Sequence, residues 1–518
     1  MHTARMAGTL LTAPSAGGDE IRRLPVQIAL LEVRADRTGD IDPDRLRGWF
    51  GGMRLYTLRS SAEGGACHAG AAERHRRLGR AARDFDLVDL EAERDLTPEL
   101  LARIPPHQRV ISWAGPASDA AALRARAAGL TATPARFYRI VPQARTARDG
   151  LAALRLLRGT ARRDLIAFAS GAAGLWSRLL SPQFGAPFVF GAVGREGRSL
   201  AEPSLDQLVD DYGLPLHACP RDLYGIVGSP VTHSLSPRLH NLAYRSLGLP
   251  ALYVPFEEEE FDAFWRGMVG TDALAELGVS LRGLTVVSPH KERARAAGAS
   301  DCAIVRRADA ANLILRNGRG WRSATTDPEG VAVALSERCV ALGRKTAVIG
   351  CGGAGRAVAA ALDELGADVT LVNRGLERGR LAQHALRLPF TPLASFSPDD
   401  YATIVNATPV GRGGEALPFD IGGMRTGGSI VDLAYGREPT PLIQQARARG
   451  LTAVDGLEVC LIQARHQFRL MTGLDMPRAG MTPAPAGVGA FAETIPETIP
   501  ETIPETIAVT RRHRAATG

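Results

Sequence analysis

The chain has 518 residues, of which 45% are hydrophobic and 23% are charged. These proportions are typical of a globular protein with a large core, and the length predicts about three domains. The net charge of +7 comes from basic residues scattered among acidic ones without a basic stripe, so nucleic acid is not the expected partner. No run of about 18 apolar residues occurs, so no membrane-spanning helix is predicted.

The spacing of the cysteines argues against a disulfide framework and against a metal site. The six cysteines form no CxxC pair, and no histidine cluster has zinc-binding spacing. The N-terminus carries a short apolar patch that is too short for the core of a secretion signal. We therefore expect a cytoplasmic protein without a metal.

Lysine is rare: Lys291 and Lys345 are the two lysines among 62 basic residues. An amine can lose its proton and act as a base or form a Schiff base, whereas a guanidinium stays protonated in proteins. Because no lysine precedes position 291, the first half of the chain is predicted to lack amine chemistry.

From about residue 24 to residue 218, short apolar runs alternate with helical stretches seven or eight times. This alternation predicts a parallel (β/α)8-type barrel, assigned to residues 1–220. Two further α/β regions follow at residues 221–328 and 329–454. Residues 476–518 are of low complexity and contain a repeated ETIP motif, whose proline at every fourth position predicts a disordered tail.

The third region opens with a strand, a glycine-rich turn, a helix and a second strand, KTAVIGCGGAGRAVAAALDELGADVTLVNRG. Such a turn lets a pyrophosphate approach a helix N-terminus, so a Rossmann dinucleotide site is predicted. Its cofactor-binding residues are expected to be Gly350, Cys351, Gly352, Gly353, Ala354 and Gly355. The second strand ends in Asn373 and Arg374 rather than in an acid, and because arginine pairs with a 2′-phosphate, NADP is favoured over NAD.

Five motifs occur in order between about residues 222 and 473: YGIVGSPVTHSLSPRLHN, SPHK, the glycine loop, VNATPVG and QARHQF. In these motifs the chain resembles shikimate dehydrogenase. The resemblance implies a two-domain enzyme of aromatic amino-acid (chorismate) biosynthesis that reduces 3-dehydroshikimate with NADPH. It also implies an α/β substrate-binding domain, completed by residues 455–475, and a Rossmann NADP-binding domain.

By this resemblance, Lys291 matches the catalytic lysine of the family and Asp327 its partner carboxylate. An amine beside a carboxylate can relay the hydroxyl proton when an alcohol is oxidised to a ketone. A lysine and an aspartate are usually only solvated surface groups, but the position of both inside ordered family motifs favours the catalytic role.

The substrate-binding residues implied by the resemblance include two serines, Ser234 and Ser236. On an extended segment both hydroxyls face one side and suit a small carboxylate, although turn and N-cap serines give the same pattern. The others are Val287, Asn312, Asp327, Tyr435 and Gln463, and Gly456 aligns near the nicotinamide.

Three residues depart from the family pattern. Val287 places a methyl where a substrate-facing hydroxyl is expected, Thr325 replaces an asparagine, and Val459 replaces a methionine near the nicotinamide. Because losing one buried polar contact costs on the order of 1–3 kcal/mol, a quinate/shikimate-type dehydrogenase and a non-catalytic sensor of pathway intermediates stay open as alternatives.

Residues 24 to about 218 contain LLEVRAD, LYTLRSSAEGG, LVDLE and LWSRLLSPQFGAPFVFGAV. They resemble type I 3-dehydroquinate dehydratase, a barrel enzyme that forms a lysine Schiff base. The resemblance implies that Arg34, Arg59 and Arg178 bind substrate, with Glu32 and Glu63 in the same motifs. Arginines in surface ion pairs are the alternative.

The catalytic pair of the dehydratase family is replaced in this sequence. Ala114 stands where the acid/base histidine belongs, and Arg139 stands where the lysine belongs. A late loop is also altered and reads SLAEPS from Ser199. We therefore expect a barrel without Schiff-base dehydratase activity; the alternative is a bifunctional enzyme with an unrecognised base. The expected partners are small-molecule substrates, and the oligomeric state is left open.

Overall fold

The computed structural model describes residues 4–25, 27–194, 201–215, 219–231, 234–341, 344–414, 416–436 and 438–477. The predicted disordered tail lies outside the described residues from position 478 on, and Ser199 of the altered loop also lies outside them. None of the described helices is long and apolar enough to cross a membrane.

Eight parallel strands form the N-terminal sheet, because each apolar run of the sequence is buried against its neighbours. The strands are β1 (Arg5–Leu10), β2 (Ile28–Arg34), β3 (Met53–Thr57), β4 (Leu87–Glu91), β5 (Arg109–Pro116), β6 (Phe137–Gln143), β7 (Leu165–Ala167) and β8 (Phe188–Ala192). They pair in sequence order from β1 to β7, and β8 pairs with β1. The predicted barrel is confirmed as a nearly closed sheet.

Helices connect these strands, as the parallel topology requires. They are α1 (Asp19–Arg22), α2 (Ala35–Thr38), α3 (Pro43–Trp49), α4 (Ala71–Asp84), α5 (Pro98–Arg103), α6 (Ala120–Thr131), α7 (Gly150–Thr160) and α8 (Leu175–Leu180), with α9 (Leu205–Asp210) after the last strand. Side-chain caps at Asp42, Thr97 and Asp119 fix the first turns of α3, α5 and α6.

A second α/β segment follows the barrel. It contains β9 (Asp222–Gly228), α10 (Ser236–Ser246), β10 (Ala251–Glu257), α11 (Phe261–Phe264) and β11 (Ser280–Val286). The central strand β9 pairs in parallel with β10 on one side and with β11 on the other. This segment and the barrel together form one compact unit, Met1–His290.

The second compact unit, Lys291–Gly518, contains the predicted Rossmann sheet. Its elements are α12 (Lys291–Ala296), α13 (Ala303–Ala308), β12 (Leu313–Asn317), β13 (Gly320–Ala324), α14 (Asp327–Glu337), β14 (Lys345–Ile349), α15 (Gly353–Glu364), β15 (Asp368–Asn373), α16 (Leu376–Leu386), β16 (Phe390–Pro392), β17 (Thr403–Asn406), β18 (Ser429–Asp432), α17 (Pro441–Ala448), β19 (Thr452–Val454) and α18 (Gly456–Thr472). The parallel order β16-β15-β14-β17-β18-β19 is that of a doubly wound dinucleotide-binding sheet, which confirms the predicted fold class.

Helix α18 returns from the Rossmann sheet to earlier parts of this unit. It packs along α14, and its residues Leu470 and Met471 cover the apolar side chains of the antiparallel pair β12–β13. The chain therefore closes this unit with its last described helix, and the role predicted for residues 455–475 stays a prediction. The predicted domain limits themselves stay predictions.

Candidate active site

Lys291 and Asp327 form an ion pair in the second unit. Lys291 begins α12 and Asp327 begins α14. The Lys291 Nζ atom lies 2.9 Å from Oδ1 and 2.7 Å from Oδ2 of Asp327. The lysine side chain is 17% exposed and the aspartate side chain 4%. A buried carboxylate thus holds an amine that reaches solvent, an arrangement that can pass a proton to or from a bound molecule.

Two amides that the sequence predicts at the substrate site join this pair. Asn312 Nδ2 donates to Asp327 Oδ1 at 3.0 Å, and Gln463 Nε2 donates to the same oxygen at 3.3 Å. Four of the predicted residues, Lys291, Asp327, Asn312 and Gln463, are therefore brought together. The donors around Asp327 fix the orientation of its carboxylate, and the carboxylate in turn orients the adjacent amine.

Two supporting residues were not predicted from the sequence. The Thr326 backbone N–H donates to Asn312 Oδ1 at 2.8 Å, and Gln467 Nε2 donates to Thr326 Oγ1 at 3.1 Å. Gln467 follows Gln463 by four residues on α18, so both amides lie on one helix face. The four-residue spacing of the two glutamines could have predicted that Gln467 lies near the site. Gln467 and Thr326 form a second layer of hydrogen bonds behind Asp327.

The glycine-rich turn has the geometry that a pyrophosphate requires. Gly350 has φ +103°, and a Cβ on Gly355 would lie 1.8 Å from the Gly350 carbonyl oxygen, so only glycine fits at both positions. A Cβ on Gly352 would meet no atom within 4 Å, which leaves open space at the N-terminus of α15, beside Ala354. Asn373 Oδ1 accepts the Cys351 N–H at 3.1 Å and ties the turn to β15.

Arg374 follows β15 directly and is exposed. Within the described part of the chain it forms no ion pair, so its guanidinium is available to a phosphate group. The residues of the turn and Arg374 together fit a dinucleotide that carries a 2′-phosphate.

Gly456 and Tyr435 lie near the carboxyl end of β18, the strand that ends at the buried Asp432. Asp432 accepts hydrogen bonds from Asn406 Nδ2 at 2.8 Å and Thr440 Oγ1 at 2.6 Å. Burial raises the pKa of Asp432 to about 6 against the effect of these bonds. A Cβ on Gly456 would lie 2.8 Å from the Asp432 carbonyl oxygen, so glycine allows α18 to begin against this strand. The Tyr435 carbonyl accepts from Arg412 Nε at 3.3 Å.

The extended conformation expected for Ser234 and Ser236 is wrong. Leu235 is in the right-handed helical region, and Ser236 is the first residue of α10. The Ser234 hydroxyl accepts the Ser236 N–H at 3.2 Å, as in a turn that leads into a helix. Val287 lies over Gly228, where a Cβ would meet it at 2.4 Å, and the substrate roles of these residues stay predictions.

In the barrel, Arg139 is held by two buried carboxylates. Its guanidinium lies 2.7 Å from Glu32 Oε1 and also pairs with Asp89. Burial alone would raise the pKa of Glu32, but the charges of Arg139 and Arg34 outweigh it and hold the pKa at about 2. The position expected for an imine-forming amine is therefore occupied by a fixed cation.

Arg59 and Glu63 occupy the neighbouring part of the barrel mouth. Arg59 pairs with Glu63 at 2.6 Å and with Asp89 at 2.9 Å. Glu63 Oε2 also accepts the Ala114 N–H at 3.0 Å, and burial raises the pKa of Glu63 to about 7. Asp89, in the LVDLE motif, was not predicted as a site residue. It lies two residues before Glu91 on β4, and this spacing could have indicated that both carboxylates face the same side of the sheet.

The two other predicted arginines differ in their partners. Arg34 forms a bidentate pair with Asp36, both contacts being 2.8 Å. Arg178 has no carboxylate within 4 Å among the described residues; it donates to the Phe190 carbonyl at 3.3 Å and lies over the Phe168 ring. Burial lowers the pKa of Arg178 to about 10. Of the three arginines, Arg178 is the one left free to pair with a ligand carboxylate.

Comparison with known proteins separates the two parts of the chain. The family model of type I 3-dehydroquinase matches residues 11–214, and that of the shikimate dehydrogenase substrate binding domain matches residues 226–314. A shikimate dehydrogenase (NADP(+)) of Halobacterium salinarum is 36% identical over 269 residues, which cover 51% of this chain and 98% of the relative. The chain belongs to the shikimate dehydrogenase family.

The predicted fusion is also confirmed. The chloroplastic bifunctional 3-dehydroquinate dehydratase/shikimate dehydrogenase of Arabidopsis thaliana is 30% identical over 368 residues, which cover 65% of this chain and 59% of that protein. This chain is therefore a shikimate dehydrogenase joined to a type I dehydroquinase-like region. A crystal structure of shikimate dehydrogenase from Thermus thermophilus is 33% identical in sequence and has a TM-score of 0.44. The aligned part covers 50% of this chain and 96% of the Thermus chain.

The match to the substrate binding domain of shikimate dehydrogenase includes Lys291 and Asn312 and ends before Asp327. The name of the Halobacterium relative includes NADP(+), the cofactor that Arg374 predicts for this dehydrogenase.

Proposed function

We propose that this shikimate dehydrogenase reduces 3-dehydroshikimate to shikimate with NADPH. The observation that carries the proposal is the pair of a solvent-reaching Lys291 amine and a buried Asp327 carboxylate. NADPH, when bound, supplies the hydride to the substrate ketone. The ammonium of Lys291 then gives its proton to the oxygen that becomes the hydroxyl, and Asp327 holds the amine in place throughout.

The amides of Asn312 and Gln463 lie beside this pair and are proposed to bind substrate hydroxyls. Gln463 donates to Asp327 and has a second amide hydrogen and a carbonyl oxygen for further bonds. Asn312 donates to both Thr326 and Asp327 and accepts the Thr326 N–H, so a substrate hydroxyl would share its amide with these partners. Tyr435, Ser234, Ser236 and Val287 are proposed to complete substrate binding, and Arg374 to bind the 2′-phosphate of NADP.

The test is a steady-state panel of shikimate and quinate, each with NADP and with NAD. We expect the highest kcat/KM for shikimate with NADP. Lys291→Met and Asp327→Asn should each lower kcat by about 10²-fold or more, because each removes part of the proton relay. Lys345→Met is the matched control, since it removes the other lysine, whose amine lies 5.0 Å from the centre of the Tyr401 ring.

Each alternative substrate has its own outcome in this panel. A higher kcat/KM with quinate would assign the quinate-type activity. No reduction of NADP with either acid at high enzyme concentration would contradict the dehydrogenase proposal and favour a sensor of pathway intermediates.

We further propose that the barrel is not a Schiff-base dehydratase. The ion pairs of Arg139 with Glu32 and Asp89 support this, because a guanidinium so held cannot form an imine. Ala114, which stands where the acid/base histidine is expected, has a methyl group that cannot transfer a proton. Arg178 remains as a carboxylate-binding group, so the barrel is proposed to bind 3-dehydroquinate or a related acid without converting it.

Two measurements test the barrel separately. Borohydride treatment of the full chain with 3-dehydroquinate should give no covalent label, and enone absorbance should not appear. A label would contradict the proposal. Absorbance without a label would instead indicate bifunctionality through a different base, for which Glu63 is the candidate because its pKa is about 7; Glu63→Gln would then abolish that absorbance.

We also propose a cytoplasmic location. All six cysteines are unpaired, which suits a reducing compartment. Fractionation of the producing cells, with the dehydrogenase assay on each fraction, would test it.

A further inference from the structure

Helix α8 of the barrel has no exposed face. All six of its residues are buried, and the Trp176 side chain is fully enclosed. A helix on the outside of a barrel normally leaves one face to solvent. Here that face is covered by β10, whose Phe256 ring has its centroid 5.7 Å from that of Trp176. The barrel and the segment after it therefore share one apolar core.

A chain of hydrogen bonds runs through this contact. Trp176 Nε1 donates to the Ala147 carbonyl at 2.9 Å, and the Ala147 N–H donates to Glu258 Oε2 at 3.2 Å. Glu258 is 4% exposed, and burial raises the pKa of its carboxyl. The Glu260 N–H donates to the other carboxylate oxygen, Oε1, at 3.2 Å. Because a buried carboxylate is costly without donors, the Ala147 N–H is the contribution of the barrel to holding Glu258.

Glu258 in turn holds the residue before the proposed catalytic lysine. The Glu258 carbonyl oxygen lies 2.7 Å from His290 Nε2, and because a carbonyl can only accept, that nitrogen carries the hydrogen. The His290 side chain is buried and packs against the Phe261 ring at 5.5 Å. Lys291 follows His290 along the chain and begins α12.

We propose that the barrel acts as a positioning platform for Lys291. Ala147 and Glu258 are positioning residues: they fix His290, and His290 fixes where α12 begins. The proposal rests on the proposed dehydrogenase function, and it gives a barrel without dehydratase activity a role in the reaction of the other half of the chain.

Three substitutions in the full chain test this platform. Glu258→Leu removes the acceptor, whereas Glu258→Gln keeps a carbonyl oxygen that can accept from the same N–H. Ala147→Pro removes the donor from the barrel side; Ala147 begins a short 3₁₀ turn after the extended residue Thr146, a position that proline tolerates. Glu258→Leu and Ala147→Pro should each lower kcat for shikimate oxidation by about tenfold, with KM for NADP within about twofold of wild type, and Glu258→Gln should restore most of the rate.

The matched control is Arg155→Ala on α7. Arg155 pairs with Glu276 at 2.6 Å at the exposed edge of the same contact, and its removal should leave kcat unchanged. The double variant Glu258→Leu/Ala147→Pro should be no slower than the slower single variant, because the two substitutions remove the same hydrogen bond.

An unchanged kcat in Ala147→Pro and Glu258→Leu would overturn the platform, and so would an equal loss in Glu258→Gln and Glu258→Leu. Additive losses in the double variant would also contradict it. If Glu258→Leu does not fold, Ala147→Pro and Glu258→Gln give the same decision. An inactive wild-type chain would instead contradict the proposed dehydrogenase function itself.

Discussion

Two basic side chains, Lys291 and Arg139, both pair with buried carboxylates but differ in whether they can transfer a proton. Lys291 pairs with the buried Asp327, and Arg139 pairs with the buried Glu32 and Asp89. Both cations compensate carboxylates that would be costly to bury alone. The amine can transfer its proton and the guanidinium cannot, so the first pair suits catalysis and the second makes a fixed structural network.

The depressed pKa of Glu32 predicts a pH-dependent contribution to stability. Its pKa is 4.5 ordinarily and about 2 in the folded barrel, so ionised Glu32 stabilises the fold fully above about pH 4.5. This contribution is lost as pH falls from 4.5 toward 2, and it is on the order of 3 kcal/mol.

Urea unfolding between pH 6 and pH 3 measures this effect. Glu32→Gln should lower the unfolding midpoint at pH 6, and its midpoint should fall less than that of wild type on acidification. Glu99→Gln, at an exposed position of α5, is the control and should follow wild type. Parallel pH profiles for wild type and Glu32→Gln would contradict the prediction.

At the scale of elements, the glycine-rich turn serves two purposes that the motif alone does not separate. A Cβ on Gly352 would enter open space, whereas a Cβ on Gly353 would lie 2.8 Å from the Lys291 Cβ atom. Gly352 therefore suits a cofactor that approaches the turn, and Gly353 allows α12 to pack on α15. The residue that carries the amine is thus placed by the dinucleotide-binding helix.

These two glycines should respond differently to alanine. Gly352→Ala should raise KM for NADP by about tenfold with little change in kcat, because the methyl group takes space that the pyrophosphate needs. Gly353→Ala should lower kcat by about tenfold, because it displaces Lys291. Steady-state kinetics with varied NADP and saturating shikimate measures kcat and KM for each variant. The same changes in kcat and KM in both variants would contradict the separate roles of Gly352 and Gly353.

At the scale of the whole molecule, the compact unit that contains the barrel ends at His290, one residue before Lys291. Arg178 of the barrel has no carboxylate partner among the described residues, and Arg139 and Ala114 stand where the resemblance to type I 3-dehydroquinate dehydratase implies an amine and an imidazole. Two substitutions should therefore return part of the lost chemistry to an intact framework.

Arg139→Lys should make the barrel susceptible to borohydride labelling with 3-dehydroquinate, since imine formation needs only the amine. Turnover to the enone should also require Ala114→His, because elimination needs an acid/base group. The control is Arg109→Lys, at a buried arginine that donates to the carbonyls of Ile104 and Leu101. A folded Arg139→Lys variant without label, shown by mass spectrometry, would mean that the imine site itself is gone.

Several features of this protein follow from local patterns of residues. Alternating apolar runs predicted the barrel, and strand, turn and helix order predicted the dinucleotide site, because these patterns depend on neighbouring residues. Ordered motifs predicted Lys291, Asp327, Asn312 and Gln463, which the fold brings together. The prediction that Ala114 and Arg139 replace the dehydratase pair also came from the sequence and its resemblance to that family.

Contacts between residues far apart in the chain depend on how the elements pack. The pairing of Arg139 with Glu32 spans 107 positions and the Ala147–Glu258 bond spans 111, and no local pattern encodes either contact. The conformation of Ser234 and Ser236 was also missed, because a turn and a strand place serines with the same spacing. Periodicity reports the element in which a residue lies, whereas the partner of a buried charge depends on how the elements pack.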